Sequence, residues 1–204
     1  MTILFIRHGE TALNVARTVQ PADTPLSDRG HAQAEDVARR LAGMRLAGIL
    51  SSDLPRARQT ADRIAAACGL PVATSALWQE RNFGAWRGQR YDALGFDPLT
   101  RAEAPPDGES AEAFSARVAA AFADLVARRA GMAGALAVVT HGLVIRELLQ
   151  RQLHLPEGTA VQRAIGNTSV TIVAERPPHS VQLLDCLVHL EPAHQHDRQS
   201  LSGG

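Results

Sequence analysis

Residues 3–11 run Ile3-Leu4-Phe5-Ile6-Arg7-His8-Gly9-Glu10-Thr11. Four bulky apolar residues in succession, closed abruptly by a polar turn, predict a strand buried on both faces, as in a parallel sheet covered by helices. Such a strand carries Arg7 and His8 to its own carboxyl end. In open α/β sheets that end is where ligands bind. Taken alone the pair has a plainer explanation, in which Arg7 covers the strand end and His8 satisfies a turn hydrogen bond.

The rest of the chain supplies partners. Ala135 to Val139 is the most hydrophobic strand pattern, and it runs into Thr140-His141-Gly142 before a helix over Leu143 to Leu153. This repeats the opening arrangement of buried strand, histidine, glycine and helix, and two such units side by side place His8 and His141 on one rim. A third strand, Leu46 to Leu50, ends in Ser51-Ser52-Asp53. The helix after it has Pro55 in its first turn and Gly69 beyond its end. Arg56 and Arg58 lie in that first turn, where a cation opposes the helix dipole, and a nearby anion would explain them. Gly9 to Arg17 is expected to form a short helix whose first amides face the same strand end and can bind an anion. Asn14, one turn in, either adds a side-chain amide there or faces solvent.

Between these units, Ser27 caps a scaffold helix bearing Ala34, Val37, Ala38 and Leu41. Pro71 to Ser75 is a short strand. The loop Leu77 to Gly88 contains both tryptophans, and its Glu80 is either a pocket acid or a surface carboxylate paired with Arg81 or Arg87. Ser110 caps a long helix with Phe114, Val118, Ala121, Phe122 and Leu125 on one face. Val170 to Val173 and Val181 to Leu190 close the domain around Pro177-Pro178. The alternation of strands and helices predicts a three-layer α/β/α sandwich with a mostly parallel central sheet and one antiparallel edge strand. Residues 1–191 form a single domain, and 192–204 a disordered tail in which His194 and His196 are solvated rather than metal-binding.

Composition excludes several partner classes. Of 204 residues, Lys+Arg is 21 and Asp+Glu is 21, so no global field favours nucleic acid or an anionic membrane. Cys68 and Cys186 stand in apolar context without a CxxC partner, which fits reduced thiols and a soluble cytoplasmic protein. The hydrophobic fraction is 45% with only 4% aromatic, a composition that suits helices packed on a sheet.

Several blocks in order resemble the histidine phosphatase superfamily, the phosphoglycerate mutase-like group. They are Arg7-His8-Gly9-Glu10-Thr11 with Asn14, Pro25-Leu26-Ser27 with Gly30, and Ser51-Ser52-Asp53-Leu54 with Arg56-Ala57-Arg58. Glu80 with Phe83-Gly84, Trp86 and Gly88 follows, then Gly108-Glu109-Ser110 and Thr140-His141-Gly142. The resemblance runs from Ile3 to about Val170. It implies that His8 is a nucleophile forming a phosphohistidine and that Glu80 is the general acid and then base. It implies further that Arg7, Arg58 and His141 surround the phosphoryl group, with Asn14, Gln20 and the Gly142 amide as added contacts.

No cofactor or metal is implied, and the partner is a small phosphorylated substrate; a homodimer is compatible with edge strands that could pair. Two departures stand out. Pro21 replaces a glycine common in relatives, and Trp78 stands where leucine is usual. Tyr91 to Gly108 is short with Arg101 as its one basic residue, which favours a phosphatase over a phosphoglycerate mutase, the alternative on the same scaffold. Residue types alone would also allow a metallohydrolase using His8, Glu10 and His141.

Overall fold

The computed structural model describes residues 2–129, 131–161 and 164–195. Its strands are β1 (Thr2–Arg7), β2 (Leu46–Ser51), β3 (Val72–Thr74), β4 (Ala135–Thr140), β5 (Val170–Ala174) and β6 (Val181–Cys186). Its helices are α1 (Ala12–Val15), α2 (Asp28–Ala42), α3 (Pro55–Cys68), α4 (Ala111–Arg129) and α5 (Gly142–Arg151). The strands form one six-stranded sheet in the order β3-β2-β4-β1-β5-β6. Pairings β2–β3, β2–β4 and β1–β4 are parallel, while β1–β5 and β5–β6 are antiparallel. This is the expected mostly parallel sheet, with the antiparallel pairing confined to one side.

Strand alternation divides β1 between two cores. Ile3 and Phe5 pack with Phe114, Val118, Phe122 and Leu125 of α4 and Val144, Ile145 and Leu148 of α5. Leu4 and Ile6 pack on the other face with Val37 and Leu41 of α2 and Ala57, Ala61 and Ile64 of α3. The result is three layers with β1 and β4 buried at the centre. Burying each such Leu, Ile or Phe side chain stabilises the fold by about 1.5–3 kcal/mol. In the register of these strands Arg7 lies opposite Thr140 and Ser51 opposite Val139. The ladder continues past the strand ends, because the His8 amide donates to the Thr140 carbonyl at 2.9 Å and the Ser52 amide to Val139 at 2.9 Å. His8, His141 and Ser52 therefore leave the sheet at one level.

Four local expectations change. The helix expected over Gly9 to Arg17 is only Ala12–Val15, because Thr11 is its N-cap and Arg17, at φ 51°, closes it. The helix expected over Leu143 to Leu153 spans Gly142–Arg151. The last strand stops at Cys186, and Asp185 within it, at φ 46°, sits at an irregularity where the register with β5 shifts. The tail expected from residue 192 begins instead with a 3-10 turn, Pro192–His194, docked on α2. Asp36, 1% exposed, accepts from His194 Nδ1 at 2.7 Å and the Glu191 amide at 3.2 Å, and the Gln33 side chain donates to the His194 carbonyl at 2.9 Å. The remainder of that expectation, residues 196–204 with His196, lies outside the described residues. Among the described residues no helix is long and apolar enough to cross a membrane.

The turn after β1 packs directly on the start of α2. A methyl group placed on Gly30 would stand 2.0 Å from the Glu10 carbonyl oxygen, a contact that only backbone movement relieves. Gly30→Ala is expected to destabilise the protein by about 1–3 kcal/mol, the usual range for an overpacked site. A urea midpoint equal to that of the wild type would show that the turn tolerates displacement.

Candidate active site

The turn Gly9-Glu10-Thr11 spends its amides on side chains. Gly9 donates to Thr60 Oγ1 at 3.0 Å, Glu10 to Gln33 Oε1 at 2.9 Å and Thr11 to Asn14 Oδ1 at 3.1 Å. The expected anion cradle at the start of this helix is therefore absent. These amides fix the turn in place. Glu10 turns its carboxylate to Ser27 and Arg29, bonding Ser27 Oγ at 3.0 Å and Arg29 Nε at 2.9 Å.

His8 is fully buried, and its Nδ1 lies 2.7 Å from the Gly9 carbonyl oxygen. A carbonyl only accepts, so Nδ1 carries the proton and Nε2 keeps its lone pair. Among the described residues no group bonds Nε2. Burial, followed by the charges of Arg56 and Arg7, pushes the imidazole well below its ordinary range, so the ring is neutral at neutral pH. The His141 ring is 5.1 Å away, centroid to centroid, as the parallel β1–β4 pairing requires. Its Nε2 lies 2.9 Å from Ser52 Oγ, and it too is held neutral by burial and then by Arg56. Ser52 is thus a site residue that the sequence pattern did not single out from its neighbours.

Arg7 and Arg56 are both inside, at 0% and 2% exposure. Arg7 donates through Nη1 to the Ile165 carbonyl, and Arg56 through Nη1 to the Pro21 carbonyl at 3.3 Å. Desolvation lowers both guanidinium groups, Arg56 to about 10, yet a guanidinium in a protein keeps its charge. Arg58, expected in the site, is elsewhere. Its Nε bonds Asp62 at 2.7 Å on the outer face of α3, with 45% of its side chain exposed. Residues two positions apart on a helix are separated by about 200°, so one first turn cannot aim Arg56 and Arg58 at the same strand end. Arg56 shares its face with Thr60, whose hydroxyl donates to the Arg56 carbonyl at 2.8 Å.

Glu80 is 5% exposed and is a pocket acid, not a surface partner of Arg81 or Arg87. Its carboxylate oxygens accept the Arg81 amide at 2.9 Å and the Leu143 amide at 3.1 Å, so it caps the start of α5. Burial raises its pKa and outweighs those two amides and the charges of Arg56 and Arg7. Gly142 opens α5 directly after His141. Asn14 and Gln20 are buried nearby. Asn14 Oδ1 takes the Thr11 amide, and Gln20 Oε1 accepts from Thr11 Oγ1 at 2.9 Å.

Asn167, on the segment before β5, was not visible as a site residue because no periodic pattern marks it. Its Nδ2 donates to the His8 carbonyl at 3.0 Å and lies 3.4 Å from Asn14 Oδ1, while its buried Oδ1 has no partner. With Glu10 committed to Ser27 and Arg29, the triad His8, Glu10 and His141 does not assemble. Among the described residues no group of three or more His, Cys, Asp or Glu side chains could hold a metal.

Several known proteins resemble this chain in sequence and fold. The sequence model described as histidine phosphatase superfamily (branch 1) matches residues 3–184. The chain is 33% identical over 183 residues to the probable phosphoglycerate mutase GpmB of Yersinia pestis, covering 85% of this chain and 84% of that protein. A mycobacterial glucosyl-3-phosphoglycerate phosphatase superposes with TM-score 0.72 at 31% identity, over 84% of this chain and 89% of that one. The α-ribazole phosphatase of Shigella flexneri superposes with TM-score 0.78 at 25% identity, over 91% and 96% respectively.

The two arginines of α3 separate in a binding experiment. A charge-assisted hydrogen bond is worth about 1.5–3 kcal/mol, so Arg56→Ala should weaken inorganic phosphate binding by about 10- to 150-fold. Arg58→Ala, which removes only an exposed ion pair, should change it by less than about twofold. Calorimetric titration with phosphate checks both, and the reverse ranking would return Arg58 to the site.

Proposed function

The chain belongs to the histidine phosphatase superfamily, and we propose that it hydrolyses small phosphomonoesters through a phosphohistidine on His8, without a metal. The observation that carries this reading is the unprotonated, unpartnered Nε2 of His8 in one enclosure with two buried guanidinium groups. His8 and His141 are neutral there and Glu80 is shifted toward its acid form, so Arg7 and Arg56 leave a net positive site suited to a phosphate dianion.

In the first step Nε2 attacks phosphorus, the P–N bond forms and the P–O bond to the alcohol breaks. Glu80 gives its proton to the departing oxygen. In the second step Glu80 takes a proton from water as that water attacks phosphorus, the P–N bond breaks, and inorganic phosphate leaves. Arg7 and Arg56 neutralise the equatorial oxygens throughout, the chief demand of phosphoryl transfer. That role does not call for a metal ion. Asn14, Gln20, His141 and Gly142 complete the enclosure around the transferred group, and Ser52 orients His141. The Pro21 carbonyl occupies Nη1 of Arg56, while its buried Nε has no partner among the described residues and could meet an incoming phosphate.

The likeness to a mutase-named relative supports a second reading, transfer between hydroxyls of a phosphoglycerate. Against it, Arg101, the one basic residue of Tyr91 to Gly108, stacks 4.7 Å over the Phe96 ring. Product analysis with 3-phosphoglycerate separates free phosphate from the 2-isomer.

His8→Ala should abolish both turnover and an acid-labile phosphoenzyme trapped from labelled substrate, while a chelator leaves the wild type unchanged. An active His8→Ala protein would sink the mechanism. The pH profile of kcat/KM should be bell-shaped. Activity falls on the acid side as His8 gains a proton, at a pH lower than an ordinary imidazole would give. It falls on the alkaline side as Glu80 loses its proton, at a pH higher than an ordinary carboxylate would give. In Glu80→Gln the alkaline limb should disappear, and its persistence there would assign that limb to another group.

A further inference from the structure

The motif Gly108-Glu109-Ser110 and the helix after it carry more than a cap. Arg117, on α4, reaches back to the segment that bears Glu80. Its Nη1 donates to the carbonyls of Leu77 at 2.9 Å and Gln79 at 2.8 Å, and its Nη2 to that of Glu80 at 3.4 Å. The intervening carbonyl, Trp78, accepts from Thr140 Oγ1 at 2.8 Å. Four successive carbonyls, from Leu77 to Glu80, are thus held from outside the segment.

Arg117 is itself braced. Glu109 takes its Nε at 2.9 Å and its Nη2 at 2.8 Å, a two-point pairing with only 19% and 15% of the two side chains exposed. Its guanidinium also lies 5.3 Å over the Phe114 ring. The Glu109 amide donates to the Asn82 carbonyl at 2.8 Å and its carboxylate accepts the Asn82 amide at 3.3 Å, so the brace grips the chain on both sides of Glu80. A lysine could not make this set of contacts, because the planar fork supplies fixed donors in several directions.

We propose that Arg117, braced by Glu109, is a positioning residue for the Glu80 carboxyl group, holding it where it can protonate the leaving oxygen. The proposal rests on the reading of Glu80 as the general acid. Of Glu80 itself, Arg117 touches only the backbone carbonyl, while the carboxyl group rests on the Arg81 and Leu143 amides. Loss of the clamp leaves the acid present and misplaced. Displacement of a reacting group by about 1 Å can cost roughly 10²-fold in rate.

The test compares kcat/KM for glycerol phosphate, whose alkoxide needs a proton to leave, with kcat/KM for p-nitrophenyl phosphate, whose nitrophenolate does not. This parameter covers the steps through P–N bond formation. Glu80→Gln should lower the alkyl-to-aryl ratio by about 10²-fold or more, as loss of a general acid does. Arg117→Met, which keeps the apolar stem on Phe114, should lower it by at least about 10-fold with the aryl rate within about threefold, inside the loss expected from a misplaced group. Arg117→Lys should fall between, and Glu109→Gln should shift the ratio in the same direction. If the methionine variant does not fold, the lysine and glutamine variants decide. Equal losses on both substrates in the Arg117 variants, beside a selective loss in Glu80→Gln, would overturn the positioning role alone. An unchanged ratio in Glu80→Gln would instead overturn the acid assignment on which the proposal stands.

Discussion

Two guanidinium groups held out of water, Arg7 and Arg56, set the terms for the rest of the site. A buried cation is expensive unless its donors are used and opposing charge is near. Here Arg7 bonds a backbone carbonyl from the segment before β5 and Arg56 one from the loop at Pro21. The Glu80 carboxyl group, whose own burial favours its neutral form, is placed to oppose the charge of both arginines when it ionises. Burial, and after it the same positive field, keeps His8 and His141 unprotonated, as attack by a ring nitrogen would require. One arrangement therefore demands an anion and supplies a lone pair to meet it.

The sheet makes that concentration possible. Parallel pairing of β1 with β4 and of β4 with β2 brings three strand ends to one level, and the side chains beyond them are His8, His141 and Ser52. None of the three depends on a flexible loop for its position. The remaining contributions arrive on helices anchored in the two apolar cores, Arg56 on α3 and the Glu80 clamp on α4. A mostly aliphatic interior is adequate for this, since each helix needs only a continuous apolar stripe against the sheet.

The buried runs Ile3 to Ile6 and Ala135 to Val139 announced the sheet, its centre and the two histidines, because full burial on both faces leaves an unbroken apolar signature. The antiparallel side, set by β5 and β6, was legible from two strand patterns joined by the Pro177-Pro178 turn with no helix between them. Arg58 was misplaced although the correction was present in the sequence. Asp62 stands four residues on, an outward ion pair, while Arg56 and Thr60 line up with the buried stripe. Asn167 left no trace, since a loop residue acquires its neighbours only through the fold. The amides of Gly9, Glu10 and Thr11 were misjudged for a related reason, their acceptors lying as far away in sequence as Thr60 and Gln33.

Gln33 joins distant parts of the chain through one side chain. Its oxygen holds the Glu10 amide in the turn after β1, and its nitrogen holds the His194 carbonyl in the last described turn. During synthesis the amino-terminal strand emerges first, yet the residue that steadies its turn is not itself secured until His194 has been made. The turn that carries His8 is thus made long before the segment that completes its support.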